Sequence, residues 1–177
     1  MKTPSRLLVS LLSATAALAL AATPSAVGSP SGIDATITAA DPAPLRLGGD
    51  PLAFTVTLTN TSPADIPGVG LVVSMGHCSC EPSGARMMPA GSMSMLEPVT
   101  KAWVSVPYVR EGTGTDYLSQ TVVPPFVLKQ GATETYQFQV RLDPNPAITA
   151  GVGTVDVTVP TPAESGTTAM LPISVEP

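Results

Sequence analysis

The chain has 177 residues with 8 basic side chains, 13 acidic ones and a single histidine, for a formal net charge of −5. No basic stripe is available to neutralise phosphates, so nucleic acid and anionic lipid are excluded as electrostatic partners. Its 15 Gly and 20 Pro make up about a fifth of the residues, above ordinary usage yet below the disorder threshold, and strong β-formers sit between them in regular blocks.

Residues 1–28 read as an export signal. Lys2 and Arg6 give a charged start, and Leu7 to Ala22 is an apolar run of Leu and Ala. The run is too short and too small-residued to span a bilayer, which takes about 20 strongly apolar residues. Ala19-Leu20-Ala21 and Ala26-Val27-Gly28 both fit the small-x-small pattern of a cut site, with the later one favoured. Removing Lys2 and Arg6 leaves a mature net charge of about −7. No Cys follows the run to take a lipid, and Leu171 to Pro177 carries no apolar anchor. The expectation is a secreted chain with no membrane insertion after cleavage, a linker at 29–32 and one domain over 33–177. About 150 mature residues suffice for one good core.

Period-2 alternation begins at Ile33, with Ile33, Ala35 and Ile37 on one side. A short extended piece, Leu45 to Leu47, follows the Asp41-Pro-Ala-Pro44 break. Leu52 to Asn60 is the clearest strand: Leu52, Phe54, Val56 and Leu58 alternate with Ala and Thr. Pro63 and Pro67-Gly68 mark a turn before Val69 to Met75, which is nearly all apolar, as a central strand is. A Gly/Pro-rich stretch runs from Gly76 to Gly91. Met93 to Glu97 and Ala102 to Tyr108 pattern as a hairpin around Pro98-Val99-Thr100, and Arg110 to Tyr117 as a Gly-broken loop. Val122 to Leu128 is extended by Pro124-Pro125. Thr133 to Leu142 sends Tyr136, Phe138, Val140 and Leu142 inward. Gly153 to Val159 and Thr168 to Val175 complete the set, with Pro172 placing the last strand at a sheet edge or on a bulge. No helical spacing persists over three turns. About eight strands at ten-residue intervals with short connections predict an all-β, antiparallel two-sheet sandwich, with a barrel as the competitor.

Phe54-Thr-Val-Thr-Leu-Thr-Asn60 with Val69 to Ser74, and Phe126-Val-Leu-Lys-Gln-Gly131 with Thr135 to Leu142, resemble the strands of bacterial immunoglobulin-like domains of the adhesion and cell-wall-associated type. In such domains an Asn closes a strand before a loop, and a Leu-x-x-Gly turn precedes a central strand. Ser74 to Cys80 and Trp103 to Leu118 are similar to uncharacterised secreted proteins of actinobacteria. The resemblance implies an Ig-like sandwich and leaves function open, since this fold hosts unrelated roles. The inter-sheet disulfide of antibody domains is absent, because the two cysteines here lie two residues apart.

His77-Cys78-Ser79-Cys80 holds the only His and both Cys of the chain, with Met75 before it and Met87, Met88, Met93 and Met95 after it. One reading is a copper(I) site of His77, Cys78, Cys80, Met75, Met87 and Met88. Thiolate and thioether select Cu(I), imidazole can join them, and Cys-x-Cys on an extended chain points both sulfurs one way. Zinc fits less well, since a closed site takes four ligands and three strong ones are present. The structural reading is a local Cys78–Cys80 disulfide, or unpaired cysteines, with Met filling core gaps. A small ring of this kind removes little chain entropy. A redox role or an intermolecular bond is the third reading.

Arg110 to Tyr117 offers two carboxylates without the spacing of a calcium loop, so a solvated turn is expected. Trp103 with Tyr108 could stack on a sugar ring, but core packing is favoured. His77 is the one ordinary general base, and no Ser, Asp or Glu is tied to it by a motif. The sequence therefore predicts a secreted, non-enzymatic, monomeric sandwich that binds a protein or cell-wall partner or has a structural role, with no cofactor. An exported Cu(I)-binding protein is the alternative.

Overall fold

The computed structural model describes residues 32–41, 43–76, 78–82, 90–111, 116–119, 122–162 and 166–177. The leader and its cut sites lie outside the described residues, as do His77, Met87 and Met88.

Twelve strands and no helix make up the described chain: β1 (Ile33–Ala39), β2 (Leu45–Arg46), β3 (Leu52–Asn60), β4 (Ile66–Met75), β5 (Gly91–Leu96), β6 (Trp103–Val106), β7 (Tyr108–Glu111), β8 (Asp116–Ser119), β9 (Val123–Leu128), β10 (Thr133–Leu142), β11 (Gly151–Val159) and β12 (Thr167–Glu176). One sheet has the order β1-β3-β10-β5-β6. The second has the order β2-β12-β11-β4-β8-β7, with β9 also paired to β4. All pairs are antiparallel except the two-residue pairing of β2 with β12. The expected all-β sandwich is the fold.

The alternation in sequence is the cause of the two layers. Leu52, Phe54, Val56 and Leu58 are buried on β3, and Phe138, Val140 and Leu142 on β10. Val69, Leu71 and Val73 on β4, with Val155, Val157 and Val159 on β11, supply the facing layer. Phe54 and Phe138 are register partners, and their rings stack 5.4 Å apart at 14°. Tyr136 sits at the margin of this core against Phe126. Burial first, and the nearby Glu134 carboxylate second, push its phenol up to about 12.

Three local expectations are corrected. The turn expected at Pro67-Gly68 is part of β4, because Gly68 takes φ 66° and the β4–β9 register shifts on either side of Val69. An irregularity of this kind lets a strand bend without ending. Ala102 to Tyr108 is two strands, since the chain leaves the first sheet at Pro107, which has no N–H to donate, and enters the second as β7. The loop expected over Arg110 to Tyr117 contains the paired ends of a β7–β8 hairpin, with Arg110 opposite Tyr117. Pro172 fits the edge position expected of it: β2 reaches β12 only at Val175 and Glu176.

One buried polar group ties the layers together. Asn60, at the end of β3, is 2% exposed. Its Nδ2 donates to Ala64 O at 2.8 Å and to Leu128 O at 2.9 Å. Its Oδ1 accepts from Ser62 N at 2.9 Å and Ser62 Oγ at 2.7 Å. Its backbone pairs with Ala132 O and Gly131 N. The strand-ending Asn and the Leu128-Lys-Gln-Gly131 turn are thus one device, with the Asn clamping the turn.

Asp65 grips the same turn from outside. Lys129 Nζ donates to it at 2.8 Å and Gln130 N at 2.9 Å. These two bonds, Lys129 first, hold the Asp65 carboxyl below the usual range. A depressed folded value stabilises above the unfolded value and is lost as pH falls through the folded one. Thermal melts of wild type and Asp65→Asn should therefore differ at neutral pH and converge on acidification below about pH 4. A gap independent of pH would show that the carboxylate contributes nothing there.

Candidate functional site

The Cys-x-Cys segment caps one end of the sandwich. β4 ends at Met75, which is buried, and Gly76 N extends the pairing by donating to Thr154 O at 3.0 Å. Ser79 N then donates to Val152 O at 2.9 Å. Period-2 geometry turns Ser79 outward and both cysteines inward. Cys78 and Cys80 are 1% and 0% exposed, and their sulfurs are bonded to each other. Thr149 locks the far side, donating its N–H and its Oγ1 to Cys80 O.

β11 makes room for this cap with glycines at matching spacing. A Cβ on Gly153 would stand 3.2 Å from Cys78 Cβ, and one on Gly151 only 2.4 Å from Ser79 O. Cys-x-Cys on one segment thus faces Gly-x-Gly on the other. That match was present in the sequence as Gly151-Val-Gly153 and was the missed signal. Gly151→Ala should cost about 1–3 kcal/mol, because backbone and not a flexible side chain must give way. Chemical denaturation measures it, and an unchanged midpoint would remove the close contact from the account.

The sequence-predicted ligands therefore divide. Met75, Cys78 and Cys80 are all buried in the core, only the two cysteines being joined, and His77, Met87 and Met88 fall outside the described residues. As long as the sulfurs are joined they offer no thiolate, so copper(I) binding has the opening of this bond as its precondition. Among the described residues no group of three or more His, Cys, Asp or Glu gathers as a metal site would.

Beside the cap, the outer face of the second sheet holds a depression of about 390 Å³, lined by Gly76, Ser79, Val152, Thr154, Asp156 and Met170. Thr154 Oγ1 donates to Asp156 Oδ2 at 3.1 Å. One carboxylate among hydroxyls and an exposed Met suits hydrogen bonding to a ligand and supplies no paired acid and base.

The opposite sheet has a different outer face. Trp103 is 43% exposed, which corrects its expected place in the core. Met93 pairs with Val106 and both are buried, so this phase of β6 turns Val106 inward and Trp103 and Ser105 outward. The hairpin tip next to it is shaped by Glu97, whose carboxylate accepts the N–H of Thr100 and of Val99. Those bonds, with Thr100 foremost, keep the Glu97 carboxyl below its usual range. Side chains of Tyr108 and of the β7–β8 hairpin lie outside the described residues, and with them the Tyr108 half of the sugar-stacking alternative and the carboxylates of the Arg110 to Tyr117 stretch.

No protein-family model matches the chain, and no curated protein matches it either. Several solved structures are similar. AvmM, which catalyses macrocyclization in alchivemycin A biosynthesis, superposes with a TM-score of 0.55 at 10% identity, over 83% of this chain and 90% of its own. The CARDB domain of a Pyrococcus furiosus protein, solved in complex with di-metal ions, gives 0.42 at 12% identity over 81% and 92% of the two chains. BslA, a bacterial hydrophobin, gives 0.39 at 14% identity over 82% and 96%. At these identities the likeness concerns the β fold alone.

Proposed function

We propose that this protein is an exported β-sandwich that acts by binding, or as a structural part, at the cell surface or outside the cell. The observation that carries this reading is the bonded Cys78–Cys80 pair sealed in the core. Such a bond forms and persists in an oxidising compartment and is rare in a reducing cytosol. The charged start and apolar run of residues 1–28 give the chain its route there. Among the described residues the titratable groups stand apart rather than converging, which favours recognition over chemistry. The copper(I) alternative retains Cys78 and Cys80, with Met75 buried in the same core, once the sulfurs are reduced.

Expression of the whole chain in a bacterial host, followed by fractionation and intact mass, tests the reading. The expected product lies outside the cytoplasm with the leader removed near residue 28. Cytosolic protein that keeps residues 1–28 would overturn it.

A further inference from the structure

We infer that the Cys78–Cys80 bond and the end of β11 beneath it form a redox latch: a dithiol reductant opens it without unfolding the sandwich, and the opened latch reshapes the depression on the outer face of the second sheet. The latch goes beyond the export reading and requires only that the bond is present.

The bond is sealed from attack while the cap is closed. Thiol–disulfide exchange needs a thiolate to reach a sulfur, and cysteines that are 1% and 0% exposed give it no approach. The seal is local. Beyond Met75 the segment is held by Gly76 N on Thr154 O, by Ser79 N on Val152 O at 2.9 Å, and by Thr149 N and Oγ1 on Cys80 O. Ser79 Oγ adds two longer bonds, donating to Val152 O at 3.4 Å and accepting from Val152 N at 3.3 Å. These bonds stand at the end of the β4–β11 ladder, and Ser79, Thr149 and Val152 are themselves exposed. A ladder end held by exposed residues opens at far lower free energy than the whole domain. The stacked Phe54 and Phe138 belong to the other sheet and stay packed when it does.

Reduction changes what can close again. One thiolate of the dithiol attacks a sulfur of the pair and forms a mixed disulfide, and its second thiolate then displaces the protein sulfur. Two electrons and two protons pass to Cys78 and Cys80, and the reductant leaves as its own disulfide. Two thiols take more room than a bonded pair, and β11 leaves little. A Cβ on Gly153 would stand 3.2 Å from Cys78 Cβ, and one on Gly151 2.9 Å from Cys80 Cα. Overfilling a packed site is destabilising, so the reduced segment lifts from β11. Ser79 moves with it, because its outward turn is set by the inward cysteines on either side. Ser79 and Val152 both line the depression of about 390 Å³. Its shape is thereby tied to the redox state of a bond on the far side of the strand.

Folded, processed protein is incubated with dithiothreitol at rising urea concentrations below the unfolding transition, alkylated at intervals and weighed intact. Without urea, reduction should be about a hundredfold or more slower than in the unfolded chain. It should accelerate with urea on a slope well below that of global unfolding, since the slope scales with the surface exposed. Thr149→Val removes the Oγ1 bond to Cys80 O and should speed reduction of the folded protein about fivefold, leaving the unfolded-state rate unchanged. Amide exchange followed by NMR reads the second half of the latch. In reduced protein the N–H groups of Ser79 and Thr149 should exchange about tenfold or more faster than in oxidised protein, while that of Val56 on β3 is unchanged. Reduction as fast as in the unfolded chain overturns the latch, as does a urea slope equal to that of global unfolding. A Thr149→Val rate equal to wild type, or equal Ser79 exchange in the two redox states, overturns it too. Each of these failures leaves the export reading standing, whereas free thiols in protein that never met a reductant remove the bond on which both rest.

Discussion

Asn60→Leu should lower the unfolding free energy by about 2–4 kcal/mol in denaturant titration at neutral pH. The replacement has similar bulk, so the loss isolates hydrogen bonding from cavity formation. All four side-chain hydrogen-bonding positions of Asn60 are filled, two by donation to carbonyls and two by acceptance from Ser62. Leucine takes the amide donor away from Leu128 O, whose residue is fully buried, and leaves Ser62 N without its acceptor. Ala64 O keeps a bond from Ser62 Oγ, so its loss is smaller. Asn60→Asp sharpens the test. The carboxylate keeps both acceptor contacts but sets an oxygen where Nδ2 meets two carbonyl oxygens. Its protonated form can donate to one of them, so the folded state raises the pKa of the new carboxyl. A raised folded value means that the variant is least impaired in acid and loses stability as pH rises through that value. A variant equal to wild type across neutral pH would show that the clamp is not formed.

Phe138→Ala should cost about 3–5 kcal/mol, the largest effect of a single core truncation. Phe138 is fully buried at the centre of β10, between β3 and β5, and stacks on Phe54. Its removal loses both the transfer free energy of the ring and the contacts around the space it leaves. Phe138→Leu should cost less, about 1–2 kcal/mol, since most of the volume is retained. The double variant Phe54→Ala, Phe138→Ala should fall short of the sum of the single losses, because the rings are each other's neighbours. Additive losses would mean that the stacked pair is not in contact.

Much of this fold is legible in the chain itself. β3 and β10 run as the alternation predicts, from Leu52 to Asn60 and from Thr133 to Leu142. Long runs with one clean apolar phase leave a strand no choice of face. β6 is illegible for the opposite reason. In Trp103-Val-Ser-Val106 both phases contain an apolar residue, and only the pairing of Val106 with Met93 decides that the indole faces water. The β7–β8 hairpin hides behind the turn residues between its strands, and the departure at Pro107 depends on which sheet has room for the next strand. At the cap, the common side of Cys78 and Cys80 follows from their spacing. Their bond and the glycines that accommodate it follow only once β11 lies against them. Asn60 stands out in sequence as a strand-ending residue, but its grip on Leu128 spans 68 positions and no local pattern encodes it.

The account turns on the two sulfurs being joined and packed as core in an exported chain. Processed protein recovered from outside the cell should be unfolded in the presence of a thiol alkylator, without reductant, and weighed intact. The predicted mass lacks two hydrogens and carries no alkyl group, and adducts arise only after reduction. Two alkyl groups on protein that never met a reductant would contradict the account and return Cys78 and Cys80 to the pool of free thiolates.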